Sequence, residues 1–178
     1  KISKKFEKKF PHRFKFHHNR FSKLDKVLKG SADAIIFDLG LSSIQLDDHD
    51  RGFSFKSKKK LDMSMGLNEF TASDVINNLS ETNLRSIIKI LGDEKEASII
   101  AKNIVKFKKL KKIIYTNDLV KIIEKSKKKI YKKKINPSTK TFQALRIFVN
   151  KEITELIYGI IKATKFLKPG GKILVISF

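Results

Sequence analysis

The sequence predicts an α/β fold in which a parallel sheet is combined with a separate helical segment. Three observations lead to this prediction. Ala34–Phe37 is a continuous apolar run, typical of a strand that is buried on both faces of a parallel sheet. A long helical pattern followed by Lys168-Pro169-Gly170-Gly171 and a second apolar strand, Lys172–Ile176, forms half of a β-α-β unit. Residues 66–137 show only helical patterns, so we expect a helical insertion there.

The region before the first strand predicts a helix, a short strand and a second helix. Apolar residues recur every four positions from Ile2 to Phe10, as in a surface helix with one narrow buried stripe. Residues 13–17 alternate between polar and apolar side chains, which predicts a short strand. Ser22 and Asp25 form a capping-box pattern for a second helix, which Gly30 would end.

The segment 66–137 predicts four amphipathic helices, the last beginning at Thr116. The first three have apolar stripes at Ala72, Val75, Ile76 and Leu79; at Leu84, Ile87, Ile88 and Leu91; and at Ala97, Ile100, Ala101, Ile104 and Val105. Their predicted N-terminal caps are Thr71 with Asp74, Ser80, and Asp93 with Glu96, and Gly92 is a predicted helix end. A further stripe from Phe142 to Leu167 predicts one long helix that leads into the second strand.

The strong positive charge is typical of a protein that binds a polyanion such as RNA: the formal net charge is +22 and the pI is about 10.1. Only five of the 40 basic residues are Arg, the side chain whose planar fork reads phosphates and base edges. The lysine excess is also the pattern that an AT-rich genome imposes through codon usage. The lysine runs at 58–60, 106–112 and 125–134 therefore have two interpretations, phosphate contacts or a solvated surface, and Tyr131 in the last run could stack on a base.

Several classes of protein are excluded or disfavoured by the composition. The sequence has no Cys, which excludes disulfides and Cys-ligated zinc and agrees with a reducing, cytoplasmic location. No apolar run approaches the ~20 residues of a transmembrane helix, so we expect no membrane partner. Asp47, Asp48 and Asp50 lack the spacing and the glycine of a calcium loop, so we expect no metal. A G-x-G-x-x-G motif, which would indicate a nucleotide-dependent oxidoreductase, does not occur in the sequence.

Four blocks of sequence, in a fixed order, resemble one known family. They are DLGLSSIQLDDHDRGFSF at 38–55, LDMSM at 61–65, TFQALRIFVN at 141–150 and LKPGGKILVISF at 167–178. Together they resemble the bacterial 16S rRNA (cytosine-N(4))-methyltransferase family, known as MraW or RsmH. The resemblance implies a class I (Rossmann-like) S-adenosylmethionine-dependent methyltransferase core, formed by residues 1–65 and 138–178, with an all-helical insertion domain at 66–137. It also implies a glycine-rich loop before the chain and an HSLEDR-like segment after it, so we expect a fragment that lacks both ends.

The resemblance also implies a reaction. The family methylates the exocyclic N(4) amine of a cytidine in 16S rRNA near the decoding site, with S-adenosyl-L-methionine as cofactor and the rRNA or the assembled small subunit as partner. A sulfonium is already a good leaving group, so positioning of the reactants supplies most of the rate. The cytidine must be unpaired or flipped out of a helix before its amine can react.

Three residues, Phe21, Asp38 and Gln45, are implied to bind the cofactor. Asp38 ends the first predicted strand, where ligands bind in open α/β sheets. Phe21 follows the predicted strand at 13–17, and Gln45 lies in the loop after Asp38. We expect the three side chains to line one crevice at the carboxyl edge of the sheet. Without the resemblance, Asp38 would be a strand end, Phe21 a core phenylalanine and Gln45 an exposed loop residue.

The sequence departs from known methyltransferase patterns at a few positions, and the catalytic residue is left unassigned. Amino-methyltransferases in general follow an acidic or polar residue with Pro-Pro-aromatic, whereas Asp38 is followed by Leu39-Gly40-Leu41. Ile44 stands where the family has proline, and Lys140 where it usually has arginine. Two other hypotheses stay open: a non-catalytic basic RNA-binding module, and another Rossmann-type methyltransferase that acts on RNA.

Overall fold

The computed structural model describes residues 2–42, 51–66, 70–127 and 136–177. In chain order, the helices and strands are α1 (Ile2–Lys9), a 3-10 helix (Phe21–Lys26), β1 (Ala32–Asp38), α2 (Ala72–Asn78), α3 (Glu81–Gly92), α4 (Ala97–Lys108), α5 (Thr116–Ser126), α6 (Thr139–Val149), α7 (Glu152–Phe166) and β2 (Leu167–Ile176). The chain forms two compact units. The first comprises Lys1–Leu39 and Ile153–Phe178, and the second comprises Gly40–Glu152.

The first unit contains a parallel pair of strands, which confirms both predicted strands. Ala34–Asp38 of β1 pair in register with Lys172–Ile176 of β2. Ala32 pairs with Leu167, so the intervening residues 168–171 bulge out of the ladder and make the predicted Pro-Gly-Gly turn a bulge within β2. The expectation of burial on both faces is wrong for the described residues: Phe37 is 2% exposed but its neighbour Ile36 is 60% exposed. The described sheet has two strands, and one face of β1 is left open.

Two predictions for the N-terminal region are wrong. Residues 13–17 do not form the predicted strand, because their backbone bonds to α1 and to the turn that follows it. The Phe16 N–H donates to Glu7 Oε1 (3.0 Å), and the Phe14 N–H donates to the Phe10 carbonyl (3.1 Å). The second predicted helix is a short 3-10 helix without a side-chain cap. The expected capping residues Ser22 and Asp25 bond instead to α7.

The second unit is helical, and its four predicted helices at 66–137 are confirmed as α2–α5. Their apolar stripes join those of α6 in one core, and α3 packs against both α4 and α6. Two of the predicted caps form. Thr71 and Asp74 make a reciprocal capping box at α2, and the Ser80 side chain accepts a hydrogen bond from the Asn83 N–H at α3.

The third predicted cap is wrong. At α4 the N-cap is Glu96, which makes no side-chain cap bond. Asp93 is held elsewhere, because Lys140 Nζ donates to its carboxylate (2.9 Å) and to its backbone carbonyl (2.6 Å). Asp93 also terminates α3 in a left-handed conformation, φ 47°, so the helix ends at Gly92 as predicted.

The long helix predicted from Phe142 to Leu167 is two helices, α6 and α7, and that prediction is wrong. The break lies at Asn150 and Lys151, where Lys151 has a φ of 53°. Asn150 is buried and its side chain bonds to backbone groups, including the Arg146 carbonyl at 2.8 Å. An asparagine that satisfies backbone groups in this way competes with helix continuation.

The two compact units do not share the predicted domain boundaries. Residues 40–65 and 138–152 belong to the helical unit, because Leu61, Met63 and Leu145 are part of its core. The predicted insertion, 66–137, lies inside that unit. Within the described parts of the chain, no helix is long and apolar enough to cross a membrane.

Candidate functional site

The candidate site begins at the carboxyl end of β1, where the chain leaves the sheet. Asp38 is exposed there and pairs with Ile176 of β2. The Leu39 N–H donates to the Ile176 carbonyl (2.9 Å), which extends the ladder by one bond. Gly40 then has a φ of 111°, a conformation that a residue with a Cβ rarely adopts. The strand therefore presents a carboxylate at its end, as the sequence predicted for Asp38.

Phe21 lies beside the last residues of this strand. Its ring meets the ring of Phe37 edge-on, with the ring centroids 5.2 Å apart. Phe37 directly precedes Asp38 and is buried, whereas Phe21 is 36% exposed. Phe21 therefore has one side on the core of the first unit and an open part that a planar ligand can contact.

One face of α7 fixes the segment that carries Phe21. Glu155, Gly159 and Lys162 follow each other along this helix at helical spacing. The Ser22 N–H donates to Glu155 Oε2 (3.0 Å), and Lys162 Nζ donates to the Ser22 carbonyl (2.6 Å) and to Asp25 Oδ1 (2.6 Å). A helical face with two opposite charges thus holds both sides of the short 3-10 helix.

The charges on this face are tuned by their contacts. Burial disfavours the charged form of Glu155, but the hydrogen bonds from Ser22 and the nearby Arg20 guanidinium outweigh it and lower the pKa of the carboxyl. The hydrogen bond from Lys162 is the main cause that lowers the pKa of Asp25. The carboxylates are therefore ionised at neutral pH.

Gly159 lies between the two charged residues because nothing larger fits. A Cβ at this position would come within 2.8 Å of Phe37 Cε1 and 2.9 Å of Phe21 Cβ. Atoms do not approach this closely without displacement. The glycine thus allows α7 to lie directly against the Phe21–Phe37 pair.

Gln45, the third predicted cofactor residue, lies outside the described residues, as do Asp47, Asp48 and Asp50. Phe21 and Asp38 belong to one compact unit and lie at the same end of β1, but the crevice of three residues stays a prediction. Among the described residues, no group of three or more His, Cys, Asp or Glu side chains could hold a metal ion.

In the helical unit, three of the sequence blocks converge on Asn150. Its side-chain Nδ2 donates to the Met63 carbonyl (2.9 Å), and its Oδ1 accepts from the Met65 N–H (2.8 Å). Met63 also donates its N–H to the Arg51 carbonyl (2.9 Å). Met63 has a φ of 60° and no exposed surface, so these contacts hold a strained backbone conformation.

Arg146 lies one turn before Asn150 and forms a bidentate ion pair with Glu152. Its Nε and Nη2 donate to the two carboxylate oxygens of Glu152 at 2.8 and 3.0 Å. The third guanidinium nitrogen, Nη1, lies 3.9 Å from the position of a Cβ on Gly40 and makes no hydrogen bond within the described part of the chain. The pair therefore fixes a cationic donor against Gly40.

The lysine runs have different structural roles. Lys108 Nζ donates to the Ile76 and Leu79 carbonyls at 3.0 and 2.5 Å, and burial lowers the pKa of this lysine. Lys127 makes a buried ion pair with Glu94, with Nζ 2.5 Å from Oε2. These two lysines are parts of the fold. The other lysines of 106–112 and those of 58–60 are exposed, and 128–134 lie outside the described residues.

The whole chain, residues 1–178, matches the family model described as the MraW methylase family. The chain belongs to this family. The resemblance seen in the sequence is thereby confirmed.

Curated relatives from several bacteria match this MraW family member. The protein of Ehrlichia canis (strain Jake), named ribosomal RNA small subunit methyltransferase H, is 45% identical over 174 residues, which cover 95% of this chain and 59% of the relative. Proteins of the same name from Bartonella tribocorum and Rhizobium meliloti are 45% and 41% identical, covering 95% and 93% of this chain and 51% and 49% of each relative. The chain thus spans about half the length of the curated relatives it matches.

The sequence proposed Phe21 and Asp38 for the site but not the residues that support them. Asp38 lies in a quoted block at the end of a strand, whereas Phe21 lies outside the four blocks and follows a predicted strand that does not form. Glu155, Gly159 and Lys162 were read only as part of a helical stripe, although their spacing of four and three residues is a visible signal of one shared face. Arg146 and Asn150 lie inside the quoted block TFQALRIFVN, so the block itself could have indicated them.

Proposed function

We propose that the complete protein is an S-adenosyl-L-methionine-dependent methyltransferase that modifies the exocyclic N(4) amine of a cytidine in 16S rRNA, near the decoding site. The observation that carries the proposal is the 45% identity, over 95% of this chain, to relatives named ribosomal RNA small subunit methyltransferase H. The rRNA, alone or in the assembled small subunit, is the proposed partner, and the cytoplasm is the proposed location. Because the chain spans about half of these relatives, the activity is proposed for the complete protein.

The proposed architecture is a class I, Rossmann-like core with a helical insertion. The first compact unit, with its parallel β1–β2 pair and α7, is the part of the chain assigned to the core. The second unit, which contains residues 66–137, is assigned to the insertion. The right-handed crossover preferred between parallel strands and the ligand position at strand carboxyl ends are both typical of such cores.

The described residues of the proposed cofactor site fit S-adenosylmethionine chemically. The exposed part of Phe21 offers an aromatic surface for the adenine, and the exposed carboxylate of Asp38 accepts hydrogen bonds from hydroxyl or amino groups. Gln45 is the third residue proposed to hold the cofactor. When bound, S-adenosylmethionine supplies a methyl group on a positively charged sulfur.

The chain's own contribution is positioning. Glu155 and Lys162 hold the Phe21 segment against α7, so the aromatic surface is fixed before a ligand arrives. Within the helical unit, the ion pair with Glu152 fixes the guanidinium of Arg146 beside Gly40. Preorganised contacts of this kind lower the cost of bringing two reactants together.

The test is methyl transfer by the full-length protein to small subunits and to free 16S rRNA isolated from cells that lack the gene. Digestion of the product and mass analysis should identify N(4)-methylcytidine. Asp38→Asn should weaken S-adenosylmethionine binding, measured by calorimetry, by ~10-fold or more. Asp33→Asn is the matched control, because Asp33 is an exposed acid on the same strand whose partner is Lys168.

Each other outcome points to a different function. A methyl group on another base or another atom would favour a different Rossmann-type RNA methyltransferase. Tight RNA binding without any binding of S-adenosylmethionine would favour a non-catalytic RNA-binding module. Equal affinities of Asp38→Asn and Asp33→Asn for the cofactor would refute the role of Asp38.

A further inference from the structure

In the helical unit, a lysine run is paired with the residues that directly follow a second lysine run, which is distant in sequence. Lys60 and Tyr115 form an antiparallel bridge. On one side of this bridge the Leu61 N–H donates to the Ile114 carbonyl (2.8 Å), and on the other the Thr116 N–H donates to the Lys59 carbonyl (3.0 Å). The run that ends at Lys60 is therefore fixed against the residues that follow the run at 106–112.

These runs form a surface that we call the lysine strip. Its members are exposed lysines of two segments, 56–61 and 106–115, neither of which contains an acidic residue: Lys56, Lys58, Lys60, Lys106, Lys109, Lys111 and Lys112. Lys108 is not a member, because it caps the carbonyls at the end of α2. Like charges held together on one surface raise the local positive potential and favour contact with a polyanion.

Tyr115 lies at the centre of the lysine strip. The two segments run antiparallel, so residues before Tyr115 lie beside residues after Lys60. Lys58 and Lys112 therefore lie on opposite sides of the bridge. The Tyr115 side chain is 45% exposed, while its backbone is fixed by the bridge and as the N-cap position of α5. An aromatic ring on a rigid backbone, with cations on both sides, matches the arrangement of single-stranded nucleic acid sites.

We infer that the lysine strip binds single-stranded RNA, with phosphates on its lysines and one base stacked on Tyr115. The inference rests on the proposed function, since it names a surface that would bind the rRNA substrate. A reactive base that must be unpaired contributes little binding energy itself, so a second surface that grips the flanking strand supplies the affinity. Lysines bind phosphates without recognising the base sequence, which suits a surface that holds the RNA strand while other contacts select the cytidine.

The first experiment compares two triple variants of the full-length protein. Lys60→Gln, Lys111→Gln and Lys112→Gln remove three charges from the lysine strip, and Lys89→Gln, Lys95→Gln and Lys121→Gln remove three exposed charges from other parts of the helical unit. Binding to a single-stranded 16S rRNA oligonucleotide is measured over a range of salt concentrations. The strip variant should bind about 10- to 50-fold more weakly at 0.15 M salt, and its log–log salt slope should fall by about 2. The control variant should lose much less of both.

The second experiment tests the aromatic contact. Tyr115→Leu should weaken RNA binding by ~10-fold with an unchanged salt slope, and Tyr115→Phe should keep the wild-type affinity, because the ring that stacks is retained. Melting temperatures and S-adenosylmethionine affinity should be unchanged in all of these variants, which separates loss of RNA contact from loss of fold. A Tyr115→Leu variant that binds RNA as tightly as the wild type overturns the stacking contact.

The outcomes separate this inference from the proposed function. If the wild type methylates rRNA and the strip variant behaves like its control in affinity and salt slope, the lysine strip is refuted while the activity stands. If the wild type binds RNA through the strip but forms no N(4)-methylcytidine, the activity is refuted while the strip stands. A strip variant that unfolds is replaced by the single Lys111→Gln and Lys112→Gln changes, whose salt slopes should each fall by about 0.7.

Discussion

Replacing Gly159 by alanine places a methyl group between α7 and the Phe21–Phe37 pair. The added Cβ would lie 2.8 Å from Phe37 Cε1 and 2.9 Å from Phe21 Cβ, so the two phenylalanines or the helix must move. Overpacking of this kind costs about 1–3 kcal/mol. The higher helix propensity of alanine offsets about 1 kcal/mol of that cost. We therefore expect a net loss of up to ~2 kcal/mol in the free energy of unfolding.

Gly159→Ala should also weaken cofactor binding, because Phe21 is displaced more easily than Phe37. It is 36% exposed, whereas Phe37 is buried under α7, so the displacement falls mainly on Phe21. An aromatic contact contributes about 0.5–1.5 kcal/mol beyond its buried area. Loss of its geometry corresponds to a ~3- to 10-fold rise in the Kd of S-adenosylmethionine, measured by calorimetry on the full-length protein.

Gly30→Ala is the matched control for Gly159→Ala, because a Cβ at Gly30 meets nothing within 4 Å. Unfolding in urea and cofactor binding should both stay close to wild type in this control. A double-mutant cycle then tests whether Gly159→Ala acts through Phe21. In a Phe21→Ala background, Gly159→Ala should have little further effect on the cofactor Kd. If Gly159→Ala and Gly30→Ala bind the cofactor equally well, the positioning of Phe21 by α7 is refuted.

Three further predictions follow from buried polar contacts. Because the pKa of Glu155 is lowered in the folded state, its carboxylate stabilises the fold above the ordinary pKa of 4.5, and this stabilisation is lost as the pH falls below that value. Glu155→Gln should therefore make the melting temperature depend less on pH in the acid range. An unchanged pH dependence in that range would contradict this prediction. Asn150→Ala removes the side-chain partner of the buried Met63 carbonyl and of the part-buried Met65 N–H. It should lower the free energy of unfolding by about 1–3 kcal/mol in urea titrations, and a loss below ~0.5 kcal/mol would show that the contacts are replaced. Lys127→Gln removes the ion-pair partner of the buried Glu94 carboxylate and should lower the free energy of unfolding by about 3–5 kcal/mol. The control Lys125→Gln, at an exposed site, should change it by less than ~0.5 kcal/mol. Equal effects would refute the structural role of Lys127.

Local signals in the sequence predicted the elements that depend on local physics. The cap at Thr71 forms because its donor and acceptor are three residues apart, and the strand at Ala34–Phe37 was predicted from a run of residues that includes two β-branched isoleucines and a phenylalanine, which favour strands. The cap at Asp93 fails for the opposite reason. Its carboxylate finds Lys140, 47 positions away, and a contact at that separation cannot be read from the neighbouring sequence.

The candidate site shows the same division. Asp38 was predicted because the end of a strand is a local feature. The supports of Phe21 were not, because Glu155 reaches Ser22 across 133 positions, and such pairs depend on how α7 packs. The roles of individual lysines could not be predicted from the sequence either. Lys108 and Lys109 are neighbours, but Lys108 donates to backbone carbonyls and Lys109 is exposed. Burial, which only the fold decides, separates them.

The parallel pairing of β1 with β2 has a consequence for how the chain folds during synthesis. Ala34 pairs with Lys172, about 138 positions later. At ~5–20 residues per second, β1 is synthesised roughly 7–28 s before β2. The helices between them form and pack from local contacts within milliseconds, so the helical unit is complete before β1 pairs with β2. Pairing of β1 with β2 therefore follows the packing of the helices, and until then the apolar residues of β1 are available to chaperones.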